Sequence, residues 1–185
     1  MERCPWPTTE LYCEYHDTEW GVPLHEDARL FEFLLLEGAQ AGLSWITVLN
    51  KREAYRKLFD GFDAQKIARY SDAKLAKLQG NPAIIRNRLK IESFRRNARA
   101  YLDLLESVDS FNDYIWHFMD HEVRQNHWRT MSEVPVTTPE SDAMSKDLKK
   151  KGFNFVGSTI CYAYMQATGM VNDHLTSCYR HAELK

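Results

Sequence analysis

One stretch of the sequence indicates the fold more directly than any other: LKKKGFNFVGSTI, residues 148–160. A basic helix end leads into a turn bounded by Gly152 and Gly157, and Ser158 begins a second helical pattern that reaches about Met165. Glycines let a backbone approach a phosphate closely, and the amides at the start of the second helix point towards it. The pattern is typical of a helix-hairpin-helix, which grips the DNA backbone without reading sequence. Taken alone, such a turn is more often an ordinary connection between helices.

Positive charge is concentrated in two segments, although the formal net charge is −2. Lys149 and Lys150 lie in the first, beside the glycine-bounded turn, where they favour contact with phosphates. A solvated helix face explains such segments about equally well. The second segment contains six basic residues against one acid: Arg86, Arg88, Lys90, Arg95, Arg96 and Arg99.

Helical periodicity dominates the chain, and no alternating strand pattern of useful length is present. The sequence predicts an all-α fold in one compact domain over residues 1–185, with the helix-hairpin-helix at about 142–169. Residues 131–138 read as an irregular connection. Helices are expected around residues 30–35, from Ile84 to Leu105, after caps at Ser44 and Ser110, and from Thr138-Pro139 to about Lys151.

Composition and the chain start limit the class of protein. A chain of 185 residues with 44% hydrophobic and 12% aromatic content can bury one sizeable core. The first residues lack the apolar stretch of a signal peptide, and the densest apolar run, residues 33–36, is far too short to cross a bilayer. We therefore expect a cytoplasmic protein without membrane contact, whose thiols stay reduced.

Four residues at the two ends of the chain could bind zinc: Cys4, His16, His174 and Cys178. His and Cys are preferred zinc ligands, and the spacing of four between His174 and Cys178 places both on one face of a helical turn. A metal here would join the N-terminal arm to the last helix. Spacing alone favours simple buried thiols, because no C-x-x-C pair is present. Cys13 and Cys161 are expected to be core thiols.

Aromatic residues crowd the first quarter of the chain, around an acidic residue. Glu37 interrupts an apolar run between Leu36 and Gly38. Composition alone favours a surface glutamate beside an aromatic core. The functional alternative is a pocket whose walls stack on a flat, electron-poor ring while the carboxylate accepts hydrogen bonds from its edge. The aromatic residues are Trp6, Tyr12, Tyr15, Trp20 and Trp45.

Motifs along essentially the whole chain resemble one family, the bacterial DNA-3-methyladenine glycosylases of the type I class. They comprise MERC (residues 1–4), YHDTEWG (15–21), LEGAQAGLSWITVL (36–49), AIIRNRLKI (83–91), NARAY (97–101), GFNFVGSTICY (152–162) and VNDH (171–174). The departures are modest: the interval from Cys4 to His16 looks one residue shorter than usual, and Pro5 replaces a more typical glycine. Only the local path of the N-terminal arm is affected.

The resemblance implies a helix-hairpin-helix glycosylase for base excision repair. Such an enzyme flips 3-methyladenine out of alkylated double-stranded DNA and hydrolyses its N-glycosidic bond, and no lysine is placed by a motif to form a Schiff base. One structural zinc per chain would be held by Cys4, His16, His174 and Cys178, joining residues of about 1–20 to those of about 170–180. A monomer is expected.

The resemblance also assigns roles to individual residues. Glu37 corresponds to the base-recognition carboxylate, and Asp173 is a weaker catalytic candidate that could instead orient the metal site. Trp6, Tyr15, Trp20 and Trp45 would line the pocket. The expected DNA contacts are Gly42, the apolar wedge Leu43, Lys149, Lys150, Gly152, Gly157 and Ser158.

Two other classes of function fit the sequence less well. A non-enzymatic DNA-binding module would keep the hairpin and metal site but lose the pocket, whereas Glu37 and its aromatic neighbours are all present. A zinc-dependent nucleobase deaminase needs a P-C-x-x-C pair, which the sequence lacks. Activity on 3-methylguanine and the group that positions water are left open by the sequence.

Overall fold

A computed structural model describes residues 2–185, so Met1, the first residue of the MERC motif and of the expected metal-binding segment, lies outside the described residues. The predicted helical character is confirmed. The helices are α1 (Glu10–Thr18), α2 (Asp27–Gln40), α3 (Trp45–Leu49), α4 (Arg52–Leu58), α5 (Ala64–Ala68), α6 (Asp72–Gln79), α7 (Arg88–Leu105), α8 (Phe111–Trp116), α9 (Pro139–Lys150), α10 (Ser158–Ala167) and α11 (Tyr179–Glu183). Short 3-10 turns cover Asp60–Phe62, His117–Met119 and Met131–Glu133.

Side-chain caps explain where several helices begin. Ser110 and Thr138 accept hydrogen bonds from the backbone N–H groups of Asp113 and Ser141, as the sequence predicts for these two residues. Ser44 does precede α3, but its hydroxyl contacts Thr47 Oγ1 at 2.8 Å rather than a backbone amide. The cap expected at Ser44 is therefore a side-chain contact only.

The long helix α7 starts later than the periodicity predicts. Ile84 is buried but lies before the helix, and Asn87 caps the first turn by accepting a hydrogen bond from Lys90 N at 3.1 Å. The basic residues of this segment also divide into two groups. Arg95 and Lys90 donate to backbone carbonyl oxygens inside the protein, whereas Arg88 is exposed. Only part of this segment is therefore a solvated face.

A small parallel bridge departs from the all-α prediction. Strand β1 (Arg124–Gln125) pairs with β2 (Val171–Asn172), in the register Arg124 with Val171 and Gln125 with Asn172. Two residues are too few to show an alternating pattern in a sequence. The bridge fixes the chain immediately before Asp173 and His174.

Helix α2 lies at the centre of the core. Its residues from Leu30 to Leu36 are buried on all sides, which is typical of a helix surrounded by others. Helix α10 packs against both α2 and α9, so α10 connects α9 to the central helix. Among residues 2–185, no helix is both long and apolar enough to span a membrane.

The turn between α9 and α10 packs against two other helices. Gly152 follows the end of α9 with φ +93°, a backbone conformation that residues with a side chain rarely adopt. Asn97 of α7 donates to Asn154 O at 3.0 Å and accepts from Asn154 N at 2.7 Å. A Cβ on Gly38 of α2 would lie 3.2 Å from Phe155 Cβ, so this turn and α2 approach closely at a glycine. The hairpin turn is thereby fixed relative to both helices.

Candidate functional site

A cavity of about 180 Å³ lies between the N-terminal arm, α1, α2 and α10. The four aromatic residues expected in the pocket, Trp6, Tyr15, Trp20 and Trp45, all line it, together with Glu37. The structure thus brings together side chains that the sequence separates by up to 39 positions, from Trp6 to Trp45. The other lining residues are Tyr12, Gln40, Met131, Val134, Ala163, Gln166 and Asp173.

Two buried polar atoms on residues that line the pocket have no partner within residues 2–185. Glu37 is only 2% exposed, and its Oε2 accepts no hydrogen bond. Trp45 Nε1 is also buried and donates to no acceptor. Burial raises the pKa of Glu37 to about 8, because the ionised carboxylate loses its hydration. Unpaired buried groups are rare in proteins, and a pocket that holds two of them is suited to a polar ligand.

The aromatic walls contact one another directly. The ring centroids of Trp6 and Trp20 are 5.1 Å apart, those of Trp6 and Tyr12 are 4.7 Å apart, and those of Tyr15 and Trp45 are 5.5 Å apart. Aromatic pairs at these distances stabilise each other's position. The walls are therefore set before any ligand enters.

The sequence did not assign several lining residues to the pocket, although Tyr12 was among the aromatic residues noted around Glu37 and helical spacing carried a signal for Gln40. Tyr12 stands three residues before Tyr15 on α1, and Gln40 stands three residues after Glu37 on α2. Residues three apart share a helix face, so each predicted residue identifies its neighbour. Ala163 and Gln166 form a further such pair on α10, whereas Met131 and Val134 come from the irregular connection and had no signal.

The carboxylate of Asp173 lines the pocket but is saturated by hydrogen bonds. Its Oδ1 accepts from Asn126 Nδ2 at 2.7 Å and Trp128 Nε1 at 2.8 Å. Its Oδ2 accepts from the Tyr162 hydroxyl at 2.6 Å and Gln166 Nε2 at 2.8 Å. Four donors occupy the four acceptor positions of a carboxylate. Asp173 therefore joins three segments around the pocket.

A buried cluster at the ends of the chain contains all four residues expected to bind metal: Cys4, His16, His174 and Cys178. Their ligand atoms lie within 4.8 Å of one another, so the cluster could hold a metal ion. Cys178 Sγ is 3.5 Å from His16 Nε2 and 3.6 Å from His174 Nδ1, and Cys4 Sγ is 3.7 Å from His174 Nδ1. His174 Nδ1 thus faces both thiols, and His16 Nε2 faces the thiol of Cys178.

The other ring nitrogen of each histidine is held from outside the cluster. His16 Nδ1 is 2.8 Å from Asp17 Oδ1, and His174 Nε2 is 3.1 Å from the Trp20 carbonyl oxygen. Hydrogen bonds from Arg3 hold the pKa of the Asp17 carboxyl well below its usual range. Such outer contacts fix the ring orientation of metal-binding histidines.

The position of two cluster residues corrects the sequence prediction. His174 and Cys178 do not lie on the last helix; they lie in the turn before α11, and Cys178 is its N-cap. The spacing of four brings their side chains together because the turn folds back, with Cys178 N donating to Leu175 O at 2.8 Å. Cys161 is fully buried away from the cluster as predicted, while Cys13 is only half-buried.

The residues expected to contact DNA lie outside the pocket. Leu43 is 40% exposed in the loop after α2, and Gly42 beside it has φ +75° with open space around it. Lys149 and Lys150 are exposed at the end of α9, and Gly157 also has open space where a Cβ would lie. Ser158 is engaged within the hairpin, because its hydroxyl bonds to Asp142 and Ser141.

The helical fold and an aromatic pocket lined by Glu37, whose Oε2 has no partner within the described part of the chain, define a protein suited to binding a flat, hydrogen-bonding ring. The sequence model of the family described as methyladenine glycosylase matches residues 6–181. The chain is 50% identical over 179 residues to DNA-3-methyladenine glycosylase 1 of Escherichia coli (strain K12), covering 96% of each. This chain belongs to the methyladenine glycosylase family.

Solved structures agree with this assignment. A crystal structure of 3-methyladenine DNA glycosylase I superimposes with a TM-score of 0.95 at 49% identity, covering 96% of this chain and 98% of the other. A variant of a 3-methyladenine DNA glycosylase I, solved in complex with 3-methyladenine, superimposes with a TM-score of 0.93 at 32% identity, covering 97% of both chains.

Proposed function

We propose that this protein is a DNA glycosylase of base excision repair that hydrolyses the N-glycosidic bond of 3-methyladenine in alkylated double-stranded DNA. The observation that carries the proposal is Glu37, which lines a cavity with aromatic walls and whose buried Oε2 has no hydrogen-bond partner within residues 2–185. Family membership supports the same activity, because the similar proteins are named for it.

Recognition of the base is assigned to Glu37 and the aromatic residues. The base is cationic after methylation, and a cation favours the ionised form of a neighbouring carboxyl group that burial alone would keep neutral. Glu37 would accept hydrogen bonds from the amino edge of adenine, whereas guanine presents an oxygen acceptor at the corresponding position. Rings of Trp6, Trp20 and Trp45 can add on the order of 0.5–2 kcal/mol each when a cation lies over them.

The chemistry requires little acid catalysis, because the departing methylated base leaves as a neutral molecule. The protein must chiefly extrude the nucleotide, which costs roughly a few kcal/mol, and favour the electron-poor sugar in the transition state. Among residues 2–185, no lysine lines the cavity. This supports a monofunctional hydrolysis rather than a Schiff base mechanism.

Asp173 stays the weaker catalytic candidate. Its carboxylate lines the cavity and could stabilise positive charge on the sugar. Its four hydrogen bonds leave no free acceptor position for activating water, and they favour a structural role.

DNA contact is assigned to the hairpin and to the loop after α2. Exposed Lys149 and Lys150 would contact phosphates, with the backbone at Gly152, Gly157 and Ser158 approaching the same strand. Leu43 would act as an apolar wedge that fills the space left by the extruded nucleotide. Gly42 gives the loop the positive φ that it needs at the tip.

The metal assigned to the buried cluster is one structural zinc ion. With Zn–N of about 2.0–2.1 Å and Zn–S of about 2.3 Å, tetrahedral angles separate nitrogen and sulfur ligands by about 3.5 Å. The nitrogen–sulfur distances of 3.5, 3.6 and 3.7 Å fit this value. Burial raises the pKa of the Cys4 thiol to about 12, and a divalent cation would offset that penalty by binding the thiolate. Four protein ligands leave no open position, so the ion would stabilise the fold.

The decisive test is release of free bases from methylated duplex DNA, resolved by chromatography, for the wild type and Glu37→Gln beside a metal analysis. Selective release of 3-methyladenine by the wild type, weakened by the substitution, is expected. DNA binding without base release would favour the non-catalytic DNA-binding module. Monomeric state and cytoplasmic location stay predictions, and light scattering of the purified protein tests the first.

A further inference from the structure

Lys90 is a buried lysine whose role the proposed function leaves unexplained. It is 6% exposed on α7, and the ion pairs of this helix within the described chain involve Arg88, Arg95 and Arg96 instead. Burial lowers its pKa. A buried ammonium group is costly unless its hydrogen bonds are satisfied, so its contacts indicate what the position requires.

Both acceptors of the Lys90 ammonium lie at one end of α2. Nζ donates to Ala39 O at 2.7 Å and to Ala41 O at 2.6 Å. The last carbonyl groups of a helix lack partners within it, and a cation at that end is favoured by the helix dipole. The ammonium group therefore closes α2 and fixes the backbone of the loop that carries Gly42 and Leu43.

The solvent-facing side of the loop that carries Gly42 and Leu43 is open. A Cβ built on Gly42 would meet no atom within 4 Å, and Leu43 is 40% exposed. The loop has a hydrogen bond of its own, from Leu43 N to Gln40 O at 2.6 Å. Among the described residues, Lys90 supplies the side-chain hydrogen bond, to Ala41 O, that connects the loop to another helix.

The same helix also holds the hairpin. Asn97 is 1% exposed and makes two hydrogen bonds to the backbone of Asn154 in the hairpin turn. Lys90 and Asn97 are seven residues apart, which is about two helical turns and places them on one face of α7. One rigid helix thus binds the backbones of both loops that are assigned to DNA.

We propose that Lys90 is a positioning residue that holds the loop at Leu43 in the place needed for nucleotide extrusion, in register with the hairpin that Asn97 holds. The inference rests on the proposed function. It predicts that loss of the ammonium group impairs extrusion while leaving the base pocket intact, because Lys90 does not line the cavity.

The test measures extrusion separately from chemistry. The probe is a duplex with 2-aminopurine beside a tetrahydrofuran abasic analogue, whose fluorescence rises when the wedge unstacks the site. Lys90→Met should lower the rise at saturating protein at least about fivefold, with affinity for free 3-methyladenine within about twofold of wild type. Lys90→Arg, which also donates to carbonyl groups, should recover most of the signal. Lys66→Met, on an exposed lysine of α5, is the matched control.

A double-mutant cycle with Leu43→Ala distinguishes positioning from general stabilisation. If Lys90 acts through the wedge, Lys90→Met should add less than about a twofold loss to Leu43→Ala. A full signal in Lys90→Met, a parallel loss of free-base binding, or independent losses in the cycle would each overturn the inference. Should Lys90→Met not fold, Lys90→Gln takes its place in the same cycle under the same criteria. Failure of the wild type to release base would count against the proposed function alone, since the fluorescence test needs no chemistry.

Discussion

The base pocket and the Cys/His cluster are neighbours, but they differ in whether their buried polar atoms have partners. Trp20 belongs to both, since it lines the cavity and its carbonyl oxygen accepts from His174. In the cluster, each histidine has one nitrogen facing the thiols and the other held by an outer partner. In the pocket, Glu37 Oε2 and Trp45 Nε1 have no partner within residues 2–185.

This difference separates a structural centre from a binding site. A satisfied cluster stabilises one arrangement of the chain, and its loss should appear as lost stability. An unsatisfied pocket lowers stability until a ligand supplies the missing hydrogen bonds, and its loss should appear as lost activity. Substitutions in the two regions should therefore have effects of different kinds.

The largest effect is expected from Cys178→Ser in the cluster. If the proposed zinc is bound by all four residues, removing one of them should abolish zinc binding and lower the free energy of unfolding by about 4 kcal/mol or more, or roughly 10 °C in Tm. Atomic absorption and thermal melts measure both. Cys13→Ser, on a half-buried thiol outside the cluster, should cost about 1 kcal/mol or less. A metal-free Cys178→Ser protein of wild-type stability would end the structural interpretation of the cluster.

The next effect concerns how stability depends on pH. The pKa of Glu37 is raised to about 8 in the folded protein, so its protonated form stabilises the fold at low pH and this contribution is lost as pH rises through 8. Between pH 5 and pH 9 the loss is roughly 3–4 kcal/mol, on the order of 10 °C in Tm. Glu37→Gln should lack this component.

The comparison requires melts of both proteins at the two pH values, with Glu14→Gln, on an exposed residue of α1, as the control. Groups other than Glu37 titrate equally in the wild type and the variant, so their contributions cancel in the difference. Parallel pH dependences would mean that Glu37 is solvated or paired in solution.

The Glu37→Gln substitution should also slow catalysis. In free energy this effect is smaller than the pH-dependent change in stability, but it removes most of the activity. The amide cannot offer the base an anionic acceptor, and single-turnover release of 3-methyladenine should fall about 100-fold, or about 2.7 kcal/mol in activation free energy. Retained Cys/His metal content and a retained fold at neutral pH would show that the loss is confined to the pocket. A rate within threefold of wild type would remove Glu37 from base recognition.

The smallest effect is expected outside both regions. Lys149→Ala on the hairpin should weaken DNA binding a few-fold and reduce the slope of log K against log salt by about 0.9, because one fewer counterion is released. Titrations at several salt concentrations measure the slope, and Lys57→Ala, on an exposed lysine of α4, serves as the control. An unchanged slope would remove this part of the hairpin from DNA binding.

Local patterns predicted the turn between α9 and α10 and several helix starts correctly, because those signals lie within a few residues of each other. The Gly152 turn and the Thr138 cap are examples. The start of α7 was placed too early, because Ile84 has the right spacing but lies before the capping residue Asn87. Apolar periodicity does not reveal a helix end when the preceding loop is buried as well.

Contacts between residues that are far apart in the sequence could not be predicted from local patterns. Cys4 and His174 are 170 residues apart, and spacing alone did not pair them; the resemblance to a family did. Lys90 looked like one more cation in a basic segment, but packing buries it against the end of α2. Whether a residue is buried, and which atoms it contacts, depends on parts of the chain that are distant in sequence. The neighbouring residues do not encode this information.

The sequence by itself determined the helical class, the turn between α9 and α10, the family resemblance and the side-chain types available for a metal and a flat base, since periodicity, turns and motifs are properties of the chain order. Only the tertiary structure decided that Glu37 Oε2 is unpaired, that Asp173 is saturated and that Lys90 closes α2. Each of these three features depends on which atoms, from distant parts of the sequence, lie within a few ångströms of a buried polar group. Those atoms are fixed by packing between helices, which no local pattern specifies.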